Sequence, residues 1–218
     1  MAKENFPKEN SVSASVIKRM PRYYRFLGEL EKAGCSKISS RELSEKMGLT
    51  ASQIRQDLNC FGGFGQQGYG YNIPVLRNEI AKILGLDQKV KAILIGVGNL
   101  GRAIVNHMDF EARGFNLLAI FDNNPEIIGQ TVNSHTVEDI QTLESFCHKK
   151  KPAVAILCIP RNAAQVMAEQ LIALGIKGFW NFSHYDLALK HAGIAVENVH
   201  LGDSLMTLSY MINQILNK

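Results

Sequence analysis

The chain has 218 residues, 46% of them apolar, and a formal net charge of +4, enough for one large or two small packed domains. No apolar run approaches the roughly 20 residues that span a bilayer, and the first ten residues carry no apolar signal-peptide core, so 1–12 reads as a short disordered lead. Four cysteines, Cys35, Cys60, Cys147 and Cys158, stand without a C-x-x-C pair, which speaks against a zinc site or disulfide framework and suits a reducing cytoplasm.

Residues 1–80 hold 12 Lys+Arg against 8 Asp+Glu, while 81–218 hold 12 against 12. The excess cation therefore sits early in the chain, and 13–86 is the candidate for a polyanionic partner. In the run Lys18 to Leu27, Tyr23, Phe26 and Leu27 make an apolar stripe at helical spacing. Arg19, Arg22 and Arg25 are left on the other side at i, i+3, i+6, an array suited to phosphates, and Tyr23 is expected to contact DNA beside them. Pro21 is expected to open or kink this helix.

Two capping boxes follow, Ser39-Ser40-Arg41-Glu42 and Thr50-Ala51-Ser52-Gln53. Gly48 stops the first helix, and Leu43, Met47, Leu49, Ile54 and Leu58 are placed to lock the pair, which is helix-turn-helix grammar. The second helix leaves Ser52, Gln53, Arg55, Gln56 and Asn59 outward, as readers of base edges or phosphates. Asp57 is expected to orient Arg55 or another donor. The aromatic-glycine segment Phe61 to Tyr71 suits a β-hairpin wing, with Gln66, Gln67 and Tyr69 as DNA contacts. Pro74 to Leu84 predicts a bridging helix with Gly85 as its C-cap.

Next comes Ile93-Leu94-Ile95-Gly96-Val97-Gly98-Asn99-Leu100-Gly101-Arg102. An apolar strand leads into G-x-G-x-x-G and a helix-like continuation. The first glycine makes the tight turn, the second admits a pyrophosphate, and the third permits close helix–strand packing. A second apolar run, Phe115 to Phe121, ends on Asp122, where a ribose-binding acid belongs. A carboxylate there repels a 2′-phosphate, and Asn123-Asn124 offer no arginine to receive one, so NAD⁺ and NADH are favoured over their phosphorylated forms.

Residues 135–140 read as a loop into a helix, and 153–160 as a buried parallel strand. Asn162 to Leu174 predicts a helix, and 178–182 and 195–199 two further strands. The alternation predicts an α/β, doubly wound Rossmann domain over 87–201. Loops at the strand C-termini nominate Ile159, Pro160, Asn181 and Phe182 as neighbours of the nicotinamide. The last segment, 202–218, predicts an apolar helix capped by Gly202-Asp203-Ser204, with Leu205, Leu208 and Ile212 on an arc too wide for one flat surface. It is expected to pack into another subunit.

No histidine stands with an Arg or Asp arranged for a substrate carboxylate, and no substrate domain remains, so no catalytic residue is assigned. A small NAD-dependent oxidoreductase is the alternative; an architectural DNA-binding protein is a second.

These parts together resemble the Rex family of bacterial redox-sensing transcriptional repressors. The resemblance rests on Val16 to Arg25, Gln53 to Leu58, Phe61-Gly62 with Gly70-Tyr71-Asn72, Gly96 to Gly101, Asn181-Phe182 and Val196-Glu197-Asn198-Val199. It implies a homodimer that binds an inverted-repeat operator in double-stranded DNA and leaves it when NADH binds. Neither a membrane nor a metal is implied. It also implies that the terminal helix inserts between the partner's domains, and that the targets are genes of fermentation and respiration. Gln66-Gln67 stand where the family's wing is usually basic. The family's tyrosine after the fingerprint is His107 here, its aspartate after Val-Glu-Asn-Val is His200, and a commonly aromatic position is Leu201. A histidine pair across the dimer would then make release pH-sensitive near neutrality.

Overall fold

The computed structural model describes residues 12–64 and 70–217. The chain divides into two compact units between Gln88 and Lys89.

In the first unit, α1 (Ala14–Lys32) is followed by β1 (Lys37–Ile38), α2 (Ser40–Met47), α3 (Ala51–Asn59), β2 (Tyr71–Asn72) and α4 (Ile73–Ile83). Its core joins Met20, Tyr23 and Leu27 of α1 to Leu43, Met47, Ile54, Leu58, Ile73, Leu76 and Ile80. The helix-turn-helix pair is capped as its sequence requires. Ser39 and Glu42 form the full capping box, and Gly48 closes α2 in the left-handed conformation at φ 63°. The second box is half made, because Thr50 accepts the Gln53 N–H but the Gln53 side chain goes elsewhere.

Two expectations are corrected here. Pro21 neither opens nor ends α1, which runs through it; the proline is exposed, so the carbonyl it leaves unbonded can turn to water. Helix α4 is more than a bridge, since Ile73, Leu76 and Ile80 are core. Arg77 fixes it to α1 through Glu31 (2.9 Å) and the Tyr24 hydroxyl (3.0 Å). A Cβ on Gly28 would stand 3.1 Å from Arg77 Nε, which accounts for a glycine inside a helix. The turn of the expected aromatic-glycine hairpin falls outside the described residues, and only its two ends are described. Tyr71–Asn72 pairs with Lys37–Ile38 upstream of α2, and Phe61 and Phe64 pack on the core. Gln66, Gln67 and Tyr69 lie outside the described residues.

The second unit is a seven-stranded sheet in the order β5-β6-β4-β3-β7-β8-β9. The strands are β3 (Val90–Ile95), β4 (Phe115–Asp122), β5 (Thr131–Val132), β6 (His135–Asp139), β7 (Val154–Leu157), β8 (Gly178–Asn181) and β9 (Ala195–Asn198). All pairings are parallel except β5 with β6. Without β5 this is the doubly wound order, with its switch point between β3 and β7. Alternate residues of β3 feed the two faces, Ile93 and Ile95 on one and Leu94 on the other.

The helices are α5 (Asn99–His107), α6 (Leu143–Lys150), α7 (Arg161–Ala173), α8 (Leu187–Lys190) and α9 (Leu201–Leu216). Residues 135–139 are a strand rather than the expected loop, because Val137 is buried against Ile120 of β4. Helix α9 starts at Leu201, one residue before its expected cap. Its N-cap is His200, and Ser204 Oγ donates back to the Leu201 carbonyl instead of capping. No helix among the described residues is long and apolar enough to cross a membrane.

Candidate DNA and dinucleotide sites

In the first unit, side chains expected to face DNA converge instead on Asp57, which is fully buried. Arg19 donates to both its oxygens, at 2.6 and 2.8 Å. Tyr23 Oη donates at 2.9 Å and Gln53 Nε2 at 2.8 Å. Burial pushes the Asp57 carboxyl up, and the three donors more than reverse this, leaving it below its ordinary value. Burial first, and then the bond to Asp57, raise the Tyr23 hydroxyl. The assignment of Tyr23 as a DNA contact is therefore corrected, because it is fully buried and its hydroxyl is committed. Arg19 is held as a brace between α1 and α3, and Gln53 is committed to Asp57 within α3.

Arg22 donates to the Met47 carbonyl at the end of α2, where a cation meets the helix dipole. Arg55 donates to Ser40 Oγ at 3.1 Å. Both remain exposed, as do Arg25, Ser52, Gln56 and Asn59. The outward face of α3 is thus polar and uncharged apart from Arg55, while α1 supplies exposed Arg22 and Arg25.

In the second unit the fingerprint loop follows β3. Gly96 has φ 95°, and a Cβ there would lie 2.5 Å from the Cys158 carbonyl. A Cβ on Gly101 would collide with the Gly96 carbonyl. Both glycines are imposed by packing. Gly98 is different, since a Cβ there would meet nothing within 4 Å. Its missing side chain leaves an open approach to the N-terminus of α5, where Gly98 is the N-cap and contributes no side-chain bond. The backbone of Asn99 and Leu100 opens that helix, so this end fits a pyrophosphate.

Asp122 closes β4 beside the loop. Its Oδ2 accepts the Val97 N–H at 2.6 Å and its Oδ1 the Asn124 N–H at 2.9 Å. The carboxylate braces the turn and keeps further lone pairs for a ribose hydroxyl. Arg102, which the fingerprint spacing did not single out, clamps the same loop by donating to the Val97 carbonyl (3.2 Å) and Gln130 (3.1 Å).

Across the switch point, Ile159 is half-buried and Pro160 is the exposed N-cap of α7. Asn181 is corrected from a cofactor contact to an organiser of its loop. It is fully buried, with its amide on Tyr185 O and Asn198 Oδ1 at 2.8 Å each and its carbonyl accepting from Ser183. Phe182, half-buried, packs edge-on to Trp180 at 4.7 Å. Burial pushes the neighbouring Cys158 thiol up to about 12, which keeps it protonated and poorly reactive.

Of the expected switch residues, His107 is exposed at the end of α5. His200 meets a different histidine, His184 of the same chain, at 2.9 Å between Nδ1 atoms with the rings stacked. Leu201, Leu205, Leu208 and Ile212 are all exposed, and α9 buries no residue.

Comparison with known proteins fits this geometry. Residues 11–59 match a family model described as a putative DNA-binding protein N-terminus, and residues 87–185 one described as a CoA binding domain. The redox-sensing transcriptional repressor Rex of Thermoanaerobacter pseudethanolicus is 55% identical over 95% of this chain and 92% of its own length. A solved structure described as RSP in complex with β-NAD⁺ and operator DNA has a TM-score of 0.88 at 54% identity, covering 94% of both chains. RSP in complex with β-NADH has a TM-score of 0.85 at 52% identity, covering 93% of this chain and 95% of that one.

Proposed function

The chain belongs to the Rex family of redox-sensing transcriptional repressors, and from that premise we infer how its two units divide the work. It is a regulator and not an enzyme; it binds operator DNA and takes NAD⁺ and NADH as its redox effectors. The observation that carries the residue assignments is Gly98. The second fingerprint glycine is required by nothing in the protein, yet it stands open at a helix N-terminus beside the acid that closes β4.

We propose that Gly96 to Gly101 hold the pyrophosphate, Asp122 the adenosine ribose, and Ile159, Pro160 and Phe182 the walls near the nicotinamide. The bound dinucleotide supplies a ring that is cationic when oxidised and neutral when reduced. A half-buried apolar wall penalises the cationic form through desolvation, so it favours NADH. In the first unit, Ser52, Arg55, Gln56 and Asn59 of α3 face base edges, and Arg22 and Arg25 face phosphates. The Asp57 brace fixes the angle between α1 and α3 that presents both sets.

We further propose that the protein works as a cytoplasmic homodimer, with α9 burying its apolar face in the partner and the two α3 helices meeting successive half-sites. NADH stabilises the dimer form that fits the operator poorly. The test is a titration onto a labelled inverted-repeat duplex at fixed salt, followed by NADH or NAD⁺. Release by NADH alone is expected. Release by neither dinucleotide would sink the sensing mechanism and leave a constitutive DNA-binding protein.

A further inference from the structure

The balanced charge of the second unit conceals a separation. Residues 89–218 hold eleven Lys and Arg and eleven Asp and Glu, yet six lysines gather at one edge of the sheet. Because β3, β7 and β8 are parallel, the residues at their entrances share that edge. Lys89 precedes β3, Lys91 is its second residue, and Lys177 stands immediately before β8. Helix α6 returns to the same edge and ends on Lys149 and Lys150, with Lys151 as its left-handed C-cap. Lys91 Nζ donates to the Lys150 carbonyl at 3.2 Å, joining strand entrance to helix end.

All six side chains are exposed, and among the described residues none takes part in an ion pair. At the opposite edge Asp122 and Asp139 close β4 and β6 and Asp186 follows β8, while on the lysine side Asp109 and Glu111, with Arg113, precede the entrance of β4. The dipole of α6 accounts for Lys149 and Lys150. It does not account for Lys89, Lys91 and Lys177, which come from strand entrances, where the net dipole is small. A concavity of about 330 Å³ opens at this edge beside Lys151, Pro152 and Gly175.

We propose that this lysine edge is a second phosphate surface, binding the backbone of duplex DNA that flanks the operator. The inference rests on the repressor reading. Lysines are point charges on flexible stems, suited to tracking a backbone without reading bases. The DNA-binding unit is joined covalently to this edge, at Lys89, and not to the acidic one. That favours the DNA already held by the protein over another polyanion.

The test compares two labelled duplexes across a salt series, the operator alone and the operator extended by about one helical turn or more on each side. Each neutralised phosphate steepens the log–log salt dependence by about 0.9. Wild-type protein should bind the extended duplex more tightly and with the steeper slope. The Lys149→Gln, Lys150→Gln, Lys151→Gln triple variant should lose that excess slope, by about 2 to 3 per chain, and leave operator-alone binding unchanged. A Lys91→Gln, Lys177→Gln variant samples the same edge without touching α6 and should act in the same direction. Equal wild-type slopes on the two duplexes, or variant losses equal on both, would overturn the lysine edge alone. Failure of wild type to bind either duplex would overturn the repressor reading on which it rests.

Discussion

Asp57 is the residue on which the first unit's geometry depends. One buried carboxylate takes Arg19 and Tyr23 from α1 and Gln53 from its own helix. Replacing it by alanine strands a half-buried guanidinium and a buried hydroxyl, at a cost of about 3 kcal/mol. Urea unfolding of Asp57→Ala should report that loss, with operator affinity falling further than stability alone explains. The pH dependence has a definite sign. The folded carboxyl titrates below its ordinary value of 3.8, so its contribution is complete at neutral pH and disappears as the pH falls through the acid range. The stability gap between wild type and Asp57→Asn should therefore narrow towards about pH 3. In the second unit two glycines separate packing from binding. Gly101→Ala should lower the melting temperature, because its Cβ meets the Gly96 carbonyl. Gly98→Ala should leave melting of the free protein unchanged and weaken NADH binding, as seen by fluorescence titration.

Among the described residues, helix α9 is an element whose apolar face has no partner in its own chain. Leu205, Leu208, Met211 and Ile212 are each more than 40% exposed, on a helix long enough to persist only if that face is covered. A fully buried leucine contributes about 1.5–3 kcal/mol, so Leu205→Asp with Leu208→Asp should convert a dimer to monomers in sedimentation. An unchanged sedimentation coefficient would remove α9 from the interface. The start of this helix is held by the His184–His200 contact. Removing it in His184→Ala should loosen the start of α9 and change the NADH concentration needed for release from the operator; a release curve identical to that of wild type would refute a role for the pair.

At the scale of the whole molecule, a dinucleotide shifts DNA binding only by binding two forms of the protein unequally, and a nearly complete shift needs about 5.5 kcal/mol of difference. Much of the machinery for this is legible in the amino-acid sequence. The G-x-G-x-x-G run with Asp122, the capped helix pair at Ser39 to Asn59 and the apolar arc of α9 are all local patterns. Backbone geometry and helical or strand periodicity write such features into adjacent residues. What the sequence could not state is which distant groups meet. Arg19 and Asp57 are 38 residues apart and Asn181 and Asn198 are 17 apart, so two expected contact residues proved to be internal braces. Residues 135–139 became a strand because β4 offered an open edge, a matter of pairing rather than propensity. The lysine edge is the extreme case. Charge counted along 81–218 sums to zero, and only parallel strands, which bring every entrance to one side, reveal that the cations stand together. Local chemistry specified the elements and the cofactor turn; tertiary packing decided which polar side chains face a ligand and which are used to hold the protein in shape.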